Sequence, residues 1–329
     1  MLSRLRASLP RIVFAVMLTA IATAVALDWN RLKPALHAAN WNLLPLCLLS
    51  AFLSYACGSG SYTLVNRAFG LRAARARLFL TGFINMAVNN LLPLAGVAGY
   101  STSAVLLGKG GIPQRDILAA SLFNSYLYVV SGVTFVPLSL AALLLTHRFA
   151  DRTRIALLAL AGILVLLAVL AFLLVFRARL RTRALGWLGR VASRLARRDF
   201  SPAFARFEST LDAGLNLLGR RPGQPALLLL LLVLDWLFTI ATLFAAFRAF
   251  GVAVSPGVVL TGFFVGISAG ALSMIPGGVG VQDASMAGIF VLLGVALEPA
   301  LLATILFRAC YYFLPFLAAL LGFGLAGKG

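Results

Sequence analysis

The sequence predicts an all-α polytopic membrane protein with two inverted repeats, each containing a re-entrant helical hairpin. Hydrophobic residues make up 61% of the 329 residues and charged residues only 11%, whereas a soluble domain carries about 25% charged residues. The tetrapeptide Leu-Thr-Gly-Phe at residues 80–83 recurs unchanged at residues 260–263. Each copy opens an apolar stretch that Pro and Gly interrupt, at 78–108 and at 257–294. Two broken hydrophobic segments at corresponding places in two halves are typical of transporters with a site near the bilayer midplane.

Six other apolar runs are predicted to be membrane-spanning helices, which need about 20 residues each. They lie at residues 12–27, 41–65, 117–145, 155–176, 225–247 and 300–325. The first run follows a cluster of arginines and is predicted to be a retained span, with a cleaved signal peptide as the alternative. We therefore predict one integral membrane domain over residues 1–329, with repeat cores at 66–146 and 247–325.

The first broken segment is short for two spans. Divided at Pro93 and Gly96, its 31 residues give two legs of about 15 residues, or roughly 22 Å each, against a hydrocarbon core of about 30 Å. Irregular backbone at membrane depth is stable only inside protein or beside a water-filled cavity. We therefore expect a hairpin with its tip, near residues 89–99, inside the protein. In the second segment two full spans remain the alternative.

The basic residues indicate an orientation. With an inside N-terminus and two re-entrant hairpins, 21 of the 28 Lys and Arg residues fall on the cytoplasmic side, six fall outside, and Arg308 lies within a span. This asymmetry fits the positive-inside rule. It also makes the first hairpin enter from the cytoplasm and the second from outside, as in inverted repeats. We expect a bacterial inner (plasma) membrane protein with a cytoplasmic N-terminus.

Residues 177–224 are predicted to be a basic cytoplasmic amphipathic region. Four apolar residues share one face of its first helix: Leu185, Leu188, Val191 and Leu195. Ser201-Pro202 is typical of the start of a second helix, and Gly219 of its end. Such a region favours anionic inner-leaflet lipids as partners; the alternative is that its arginines only fix the topology. A nucleic-acid partner is not expected, because no base-reading motif is present.

Three charged residues lie within the predicted membrane segments, where each charge is costly and usually faces a partner or a cavity. Arg308 lies in the last span, Asp235 lies near the middle of its span, and Asp283 follows the second break. Arg308 is expected to pair with Asp283 or Asp235. Two interpretations remain open: Arg308 binds an anionic headgroup, or the ion pair locks two helices together.

The two breaks supply the other candidate substrate-binding residues. In the second half these are Pro276, Gly277, Gly278, Gly280, Gln282, Tyr311 and Tyr312. Its glycines permit backbone turns, and a helix N-terminus there attracts phosphate or carboxylate. In the first half the candidates are Asn85, Asn89, Asn90, Pro93, Asn124 and Tyr126. Buried amides need partners, so the asparagines should contact each other, backbone or water. The structural alternative is close helix packing through small residues.

No catalytic or cofactor motif was found. The sequence contains no Walker A, Gly-x-Ser-x-Gly or His-Glu-x-x-His pattern. Three cysteines and two histidines give no metal-ligand spacing. We expect no cofactor and no metal site, and a transporter rather than an enzyme.

The second half contains a series of short motifs: Pro-Gly-Gly-Val-Gly-Val-Gln-Asp at 276–283, then Gly294-Val295, then Arg308 before Tyr311-Tyr312. This series resembles the membrane domain of the lysylphosphatidylglycerol synthase/flippase family. The first half is also similar, through Asn89, Pro93 and a glycine-rich turn. Asp283 stands where that family usually has Glu, and residues 96–101 lack its acidic and Arg residues. No aminoacyltransferase domain follows, so the resemblance implies lipid movement rather than lysine transfer.

Together these features predict a flippase-like lipid translocase for a polar-headed lipid, either an anionic or aminoacylated phospholipid or a related lipid. Two alternatives remain. One is a membrane enzyme that modifies a lipid headgroup, with Asp283 or Asp235 as base. The other is a non-transporting accessory subunit that docks on a lipid-synthesis enzyme. A homo-oligomer is also compatible with the sequence.

Overall fold

The computed structural model describes residues 29–91, 97–108, 111–146, 150–196, 199, 201–220, 223–273 and 275–326. Within these ranges the regular structure is helical and contains no strand. The predicted first span, 12–27, lies outside the described residues, and so does Pro93.

The α-helices of the described ranges are α1 (Trp29–His37), α2 (Leu44–Ala68), α3 (Arg75–Leu91), α4 (Val97–Gly108), α5 (Gln114–Thr146), α6 (Asp151–Phe176), α7 (Ala178–Ala196), α8 (Ser201–Gly219), α9 (Gln224–Ala249), α10 (Pro256–Leu272), α11 (Val281–Leu292), α12 (Leu297–Arg308) and α13 (Leu314–Ala326). Two short 3₁₀ turns, Trp41–Leu43 and Pro276–Gly278, and one π-helical turn, Ala309–Phe313, complete the regular elements.

Five helical stretches are long and apolar enough to cross a membrane. They are Trp41–Ala68, Gln114–Thr146, Asp151–Leu174, Gln224–Ala249 and Leu297–Gly322. Each coincides with one of the predicted runs, so the all-α polytopic architecture is confirmed for the described part of the chain. The last stretch is not one continuous α-helix, because the π turn separates α12 from α13.

The two broken segments share an architecture. In each segment a 17-residue helix precedes a 12-residue helix: α3 and α4 in the first half, α10 and α11 in the second. These helices rise about 25 Å and 18 Å, less than a hydrocarbon core of about 30 Å. We call them the first and second helix pairs. In the second segment the two helices are shorter than the five spanning stretches, with 17 and 12 residues.

The second helix pair is antiparallel and closes on a glycine stripe. A Cβ atom on Gly262 would lie 2.0 Å from Phe290, and one on Gly266 would lie 2.0 Å from Met286. One turn further along, Gly270 faces Gln282. The absence of side chains on this face of α10 therefore lets α11 approach closely.

Packing between the halves is reciprocal. Helices α2 and α9 lie along each other at the centre of the main core. The longer helix of each pair packs on a long helix of the other half: α3 on α13, and α10 on α5. Helix α3 also contacts the Pro276–Gly278 turn and the Ala309–Phe313 turn. The two helix pairs thus meet near the second break.

Helices α7 and α8 form an amphipathic layer at one end of the bundle. Helix α8 begins at Ser201 and ends at Gly219, as predicted. Its Leu211 and Leu218 are buried in a second core, which also contains Phe123 of α5. Of the predicted apolar face of α7, Leu185 packs against the second core, whereas Leu188 is 43% exposed. Arg181 is buried instead, because Asp212 of α8 neutralises it.

The glycine stripe makes a testable prediction. We expect Gly262→Ala to destabilise the protein by about 1–3 kcal/mol, since the new methyl group would overlap the fully buried Phe290 ring. Gly288→Ala is the matched control, because Gly288 lies on α11 with no atom near its Cβ position. The thermal unfolding midpoint in detergent measures both changes. Equal midpoints for wild type and Gly262→Ala would contradict close packing at this position.

Candidate functional site

Arg308, at the end of α12, is the charged centre of the candidate site. Its side chain is 1% exposed. Nε donates to Asp283 Oδ1 at 2.6 Å, and Nη1 donates to the carbonyl oxygen of Gly277 at 2.8 Å. The guanidinium carbon lies 4.9 Å from the centre of the Tyr312 ring. Nη2 is buried and has no hydrogen-bond partner among the described residues.

A glycine turn shapes the acceptor side of this site. Gly277, Gly278 and Gly280 have φ values of 65°, 59° and 77°, a region that favours glycine because it has no Cβ atom. The turn directs the Gly277 carbonyl at Arg308. Asp283 Oδ2 accepts from the Gly280 amide at 3.1 Å, which fixes the carboxylate at the start of α11. One carboxylate therefore caps this helix and also neutralises the arginine.

The π turn places two adjacent tyrosines in the protein interior. Tyr311 and Tyr312 are both buried. Tyr312 Oη accepts from Gln282 Nε2 at 3.0 Å, while Tyr311 Oη accepts from Thr239 Oγ1 at 3.0 Å. Tyr55 Oη donates to the Tyr311 carbonyl at 3.0 Å. A π turn is a frequent feature of functional sites, and here it joins two polar clusters through neighbouring residues.

Asp235 belongs to the second of these clusters, not to the arginine site. Its side chain is 1% exposed, and Oδ1 accepts from Ser54 Oγ at 2.5 Å. Ser54 Oγ also lies 2.9 Å from Thr239 Oγ1. Oδ2 is buried without a hydrogen-bond partner among the described residues. Of the two acids predicted as partners of Arg308, the structure pairs it with Asp283.

The asparagines of the first helix pair hold that pair together. Asn85 Nδ2 donates to Ser103 Oγ at 2.9 Å and to the Gly99 carbonyl at 3.1 Å. Asn89 donates to Asn85 Oδ1 at 2.7 Å and accepts from the Gly99 amide at 2.9 Å. The expectation that these amides contact each other and backbone is confirmed. Asn90 points elsewhere and donates to Tyr55 Oη at 3.0 Å.

The predicted residues of α5 lie in a different environment. Tyr126 packs edge-on against Phe207 of α8, with ring centres 6.2 Å apart, in the second core. Asn124 is half-buried on the same helix. Arg308 is surrounded instead by residues of the main core, such as Phe307 and Tyr312. The structure thus does not bring Tyr126 into the arginine site.

Sequence reasoning missed Ser54, Tyr55 and Thr239. All three are fully or nearly fully buried inside long apolar helices. A signal existed in α2, where Ser50, Ser54 and Gly58 recur every four residues on one face. Small polar residues with this spacing in an apolar helix indicate an internal polar stripe. Within the described ranges, no group of three or more His, Cys, Asp or Glu residues could hold a metal ion.

Comparison with known proteins places this architecture in a family. Residues 12–319 match the family described as "Lysylphosphatidylglycerol synthase TM region". A UPF0104 membrane protein of Methanothermobacter thermautotrophicus is 23% identical over 290 residues, which cover 85% of this chain and 84% of that protein. A second match to a UPF0104 membrane protein of that organism is 42% identical over 66 residues, or 20% of each chain. The chain is therefore an integral membrane protein that belongs to the lysylphosphatidylglycerol synthase transmembrane-region family.

Proposed function

We propose that this protein translocates a polar-headed lipid, either an anionic or aminoacylated phospholipid or a related lipid, between the two leaflets. The observation that supports this most directly is the buried Arg308 with an unpartnered Nη2. A buried guanidinium nitrogen without an acceptor is costly. A phosphate oxygen, like a carboxylate oxygen, is an acceptor that guanidinium groups bind strongly in proteins.

The lipid headgroup would compete with the Asp283 carboxylate for the Arg308 guanidinium. In the arrangement described here Asp283 neutralises Arg308, and its carboxylate is 15% exposed. An incoming phosphate would take over part of this role, while Gln282 and Tyr312 lie beside it as hydrogen-bonding groups. An aminoacylated headgroup also carries an ammonium group, for which the released Asp283 is a suitable partner.

The two helix pairs would provide access to this site. In this proposal they are re-entrant hairpins of two inverted repeats, inserted from opposite sides of the membrane. Three observations support it: the equal lengths of the paired helices, the reciprocal packing of each pair on the other half, and the asymmetry of basic residues. Rocking of one half against the other would open the site alternately to each leaflet, while the acyl chains stay in the bilayer.

A lipid translocation assay tests the role of Arg308. In proteoliposomes, we expect Arg308→Ala to lower the rate of fluorescent phosphatidylglycerol translocation by at least about tenfold, since losing one buried charge-assisted contact costs about 1.5–3 kcal/mol. Arg115→Ala is the matched control, because the Arg115 side chain is 88% exposed. Equal rates for wild type and Arg308→Ala would reject the proposed role of Arg308.

A double-mutant cycle separates a headgroup site from a structural ion pair. Asp283→Asn should lower stability by about 3–5 kcal/mol, because it leaves the buried charge of Arg308 unpaired. Arg308→Gln should cost less, because the Asp283 carboxylate that it leaves is 15% exposed. The double variant should be more stable than the sum of the two single-variant losses predicts, since it contains no lone charge. Thermal midpoints measure this coupling, and translocation is assayed alongside. A double variant that folds well and transports at the wild-type rate would reduce the pair to a structural role.

The proposal includes an anionic lipid surface as partner of α7. One face of α7 is docked on the bundle through Arg181 and Gly189. A second face exposes apolar side chains: Leu180, Trp187 and Leu188. A third face exposes arginines: Arg179, Arg183, Arg190 and Arg194. An apolar face flanked by a basic face is the arrangement of a helix that lies in the headgroup region of an anionic leaflet.

Substitution of these arginines tests the surface. Arg183→Gln/Arg190→Gln should reduce phosphatidylglycerol retention in native mass spectrometry, because each near-surface arginine contributes about 1 kcal/mol of attraction. Arg152→Gln/Arg154→Gln is the matched control: these exposed arginines lie at the opposite end of α6, the helix that precedes α7. An equal loss of phosphatidylglycerol retention in both double variants would show that α7 has no particular role in binding the lipid.

A further inference from the structure

Asp235 is a buried carboxyl group that the translocation site does not use. It lies in the middle of α9, at the centre of the bundle. We propose that Asp235 is a proton-binding site, and that proton binding and release there are coupled to movement of the helix pairs. This inference rests on the proposed translocation, and it adds an energy source to it.

The surroundings of Asp235 favour a neutral carboxyl group. An ionised carboxylate without a cation costs several kcal/mol in a protein interior. The ion pairs among the described residues join Arg115 to Asp116, Arg181 to Asp212 and Arg308 to Asp283, and none includes Asp235. A single proton on the carboxyl group removes the cost without any other partner.

The side chains facing Asp235 offer no positive charge. Helix α2 contributes Ser54, Tyr55 and Cys57, while α5 contributes Tyr128. The π turn contributes Tyr311, whose hydroxyl bonds to Thr239 of α9. Ser54 donates to the carboxyl group, and the other groups close enough to feel its charge are hydroxyls, a thiol and aromatic rings, which cannot neutralise an anion.

The free oxygen of Asp235 faces a helix seam that can open. A Cβ atom on Gly58 would lie 3.4 Å from Asp235 Oδ2 and 2.6 Å from Met86 Sδ. Helix α3 therefore closes over the carboxyl group through Met86, at the point where α2 lacks a side chain. A displacement of α3 from α2 would admit water to Oδ2 and permit ionisation. The protonated state favours the closed seam described here, and the ionised state favours an open one.

Two contacts connect this seam to the translocation site. Asn90 of α3 donates to Tyr55, and Tyr55 donates to the carbonyl of Tyr311. The next residue, Tyr312, lies under the Arg308 guanidinium. An opening of α3 at Asp235 would thus disturb the π turn that supports the arginine site. One proton moving with one singly anionic lipid carries no net charge across the membrane, so the coupling needs no compensating ion.

A pH gradient across proteoliposomes tests this coupling. The probe is fluorescent phosphatidylglycerol in vesicles of phosphatidylcholine and phosphatidylglycerol. With wild type, a gradient of about one pH unit should shift the leaflet ratio of the probe by up to about tenfold, the value for one proton per lipid. Asp235→Asn mimics the protonated carboxyl group and should leave the ratio unchanged by the gradient. Asp116→Asn, in the exposed first turn of α5, is the matched control and should behave as wild type.

The outcomes are distinguishable. If wild type moves no probe beyond empty vesicles, the proposed translocation itself fails. If wild type moves the probe but the pH gradient does not change the leaflet ratio, the wild-type result alone rejects the proposed proton site. A gradient response that Asp235→Asn retains also overturns it. Should Asp235→Asn fold poorly, Asp235→Glu keeps the titrating group, and its gradient response must persist for the proposal to stand.

Discussion

The burial of the Arg308 guanidinium is the constraint around which the second half is arranged. A fully buried arginine needs acceptors on every side that water cannot reach. The chain supplies acceptors for Nε and Nη1, but none among the described residues for Nη2. The left-handed glycine turn provides a carbonyl, the first turn of α11 provides a carboxylate, and the π turn places an aromatic ring against the guanidinium. The irregular backbone is thus a consequence of holding one charge inside the bundle.

The two helix pairs reach the same shape by different chemistry. The first pair is closed by amide side chains, with Asn85 and Asn89 bonded to backbone and hydroxyl groups of α4. The second pair is closed by direct backbone approach along a glycine stripe, and its turn is anchored by the ion pair. Only the second turn contributes charge, which agrees with the lack of acidic and basic residues at 96–101. In an alternating-access cycle, a single charged site would then serve both leaflets.

Much of the fold could be predicted from the sequence, because long apolar runs and Pro-Gly breaks act locally. The pairing of Arg308 with an acid followed from the cost of a buried charge, but the choice of Asp283 over Asp235 did not. That choice depends on the helix register at the π turn, which has no simple sequence signal. Ser54 and Thr239 were missed for a related reason, since hydroxyls inside apolar helices are common and most bond only to their own backbone. Tyr126 was predicted as a candidate of the first half, but in the structure it packs against Phe207 of α8.

The separation of Asp283 from Asp235 has a physical consequence. Asp283 is compensated by a permanent cation, because Arg308 Nε donates to its carboxylate at 2.6 Å. Asp235 has no cation among the described residues, and its ionisation depends on whether water reaches one oxygen. The first carboxylate is therefore suited to exchange with an anionic headgroup, and the second is suited to exchange a proton. Because the adjacent Tyr311 and Tyr312 contact the two clusters separately, a shift of the π turn alters both at once. Two acids in opposite electrostatic environments, joined through adjacent tyrosines of one π turn, are sufficient to link a protonation step to a headgroup step.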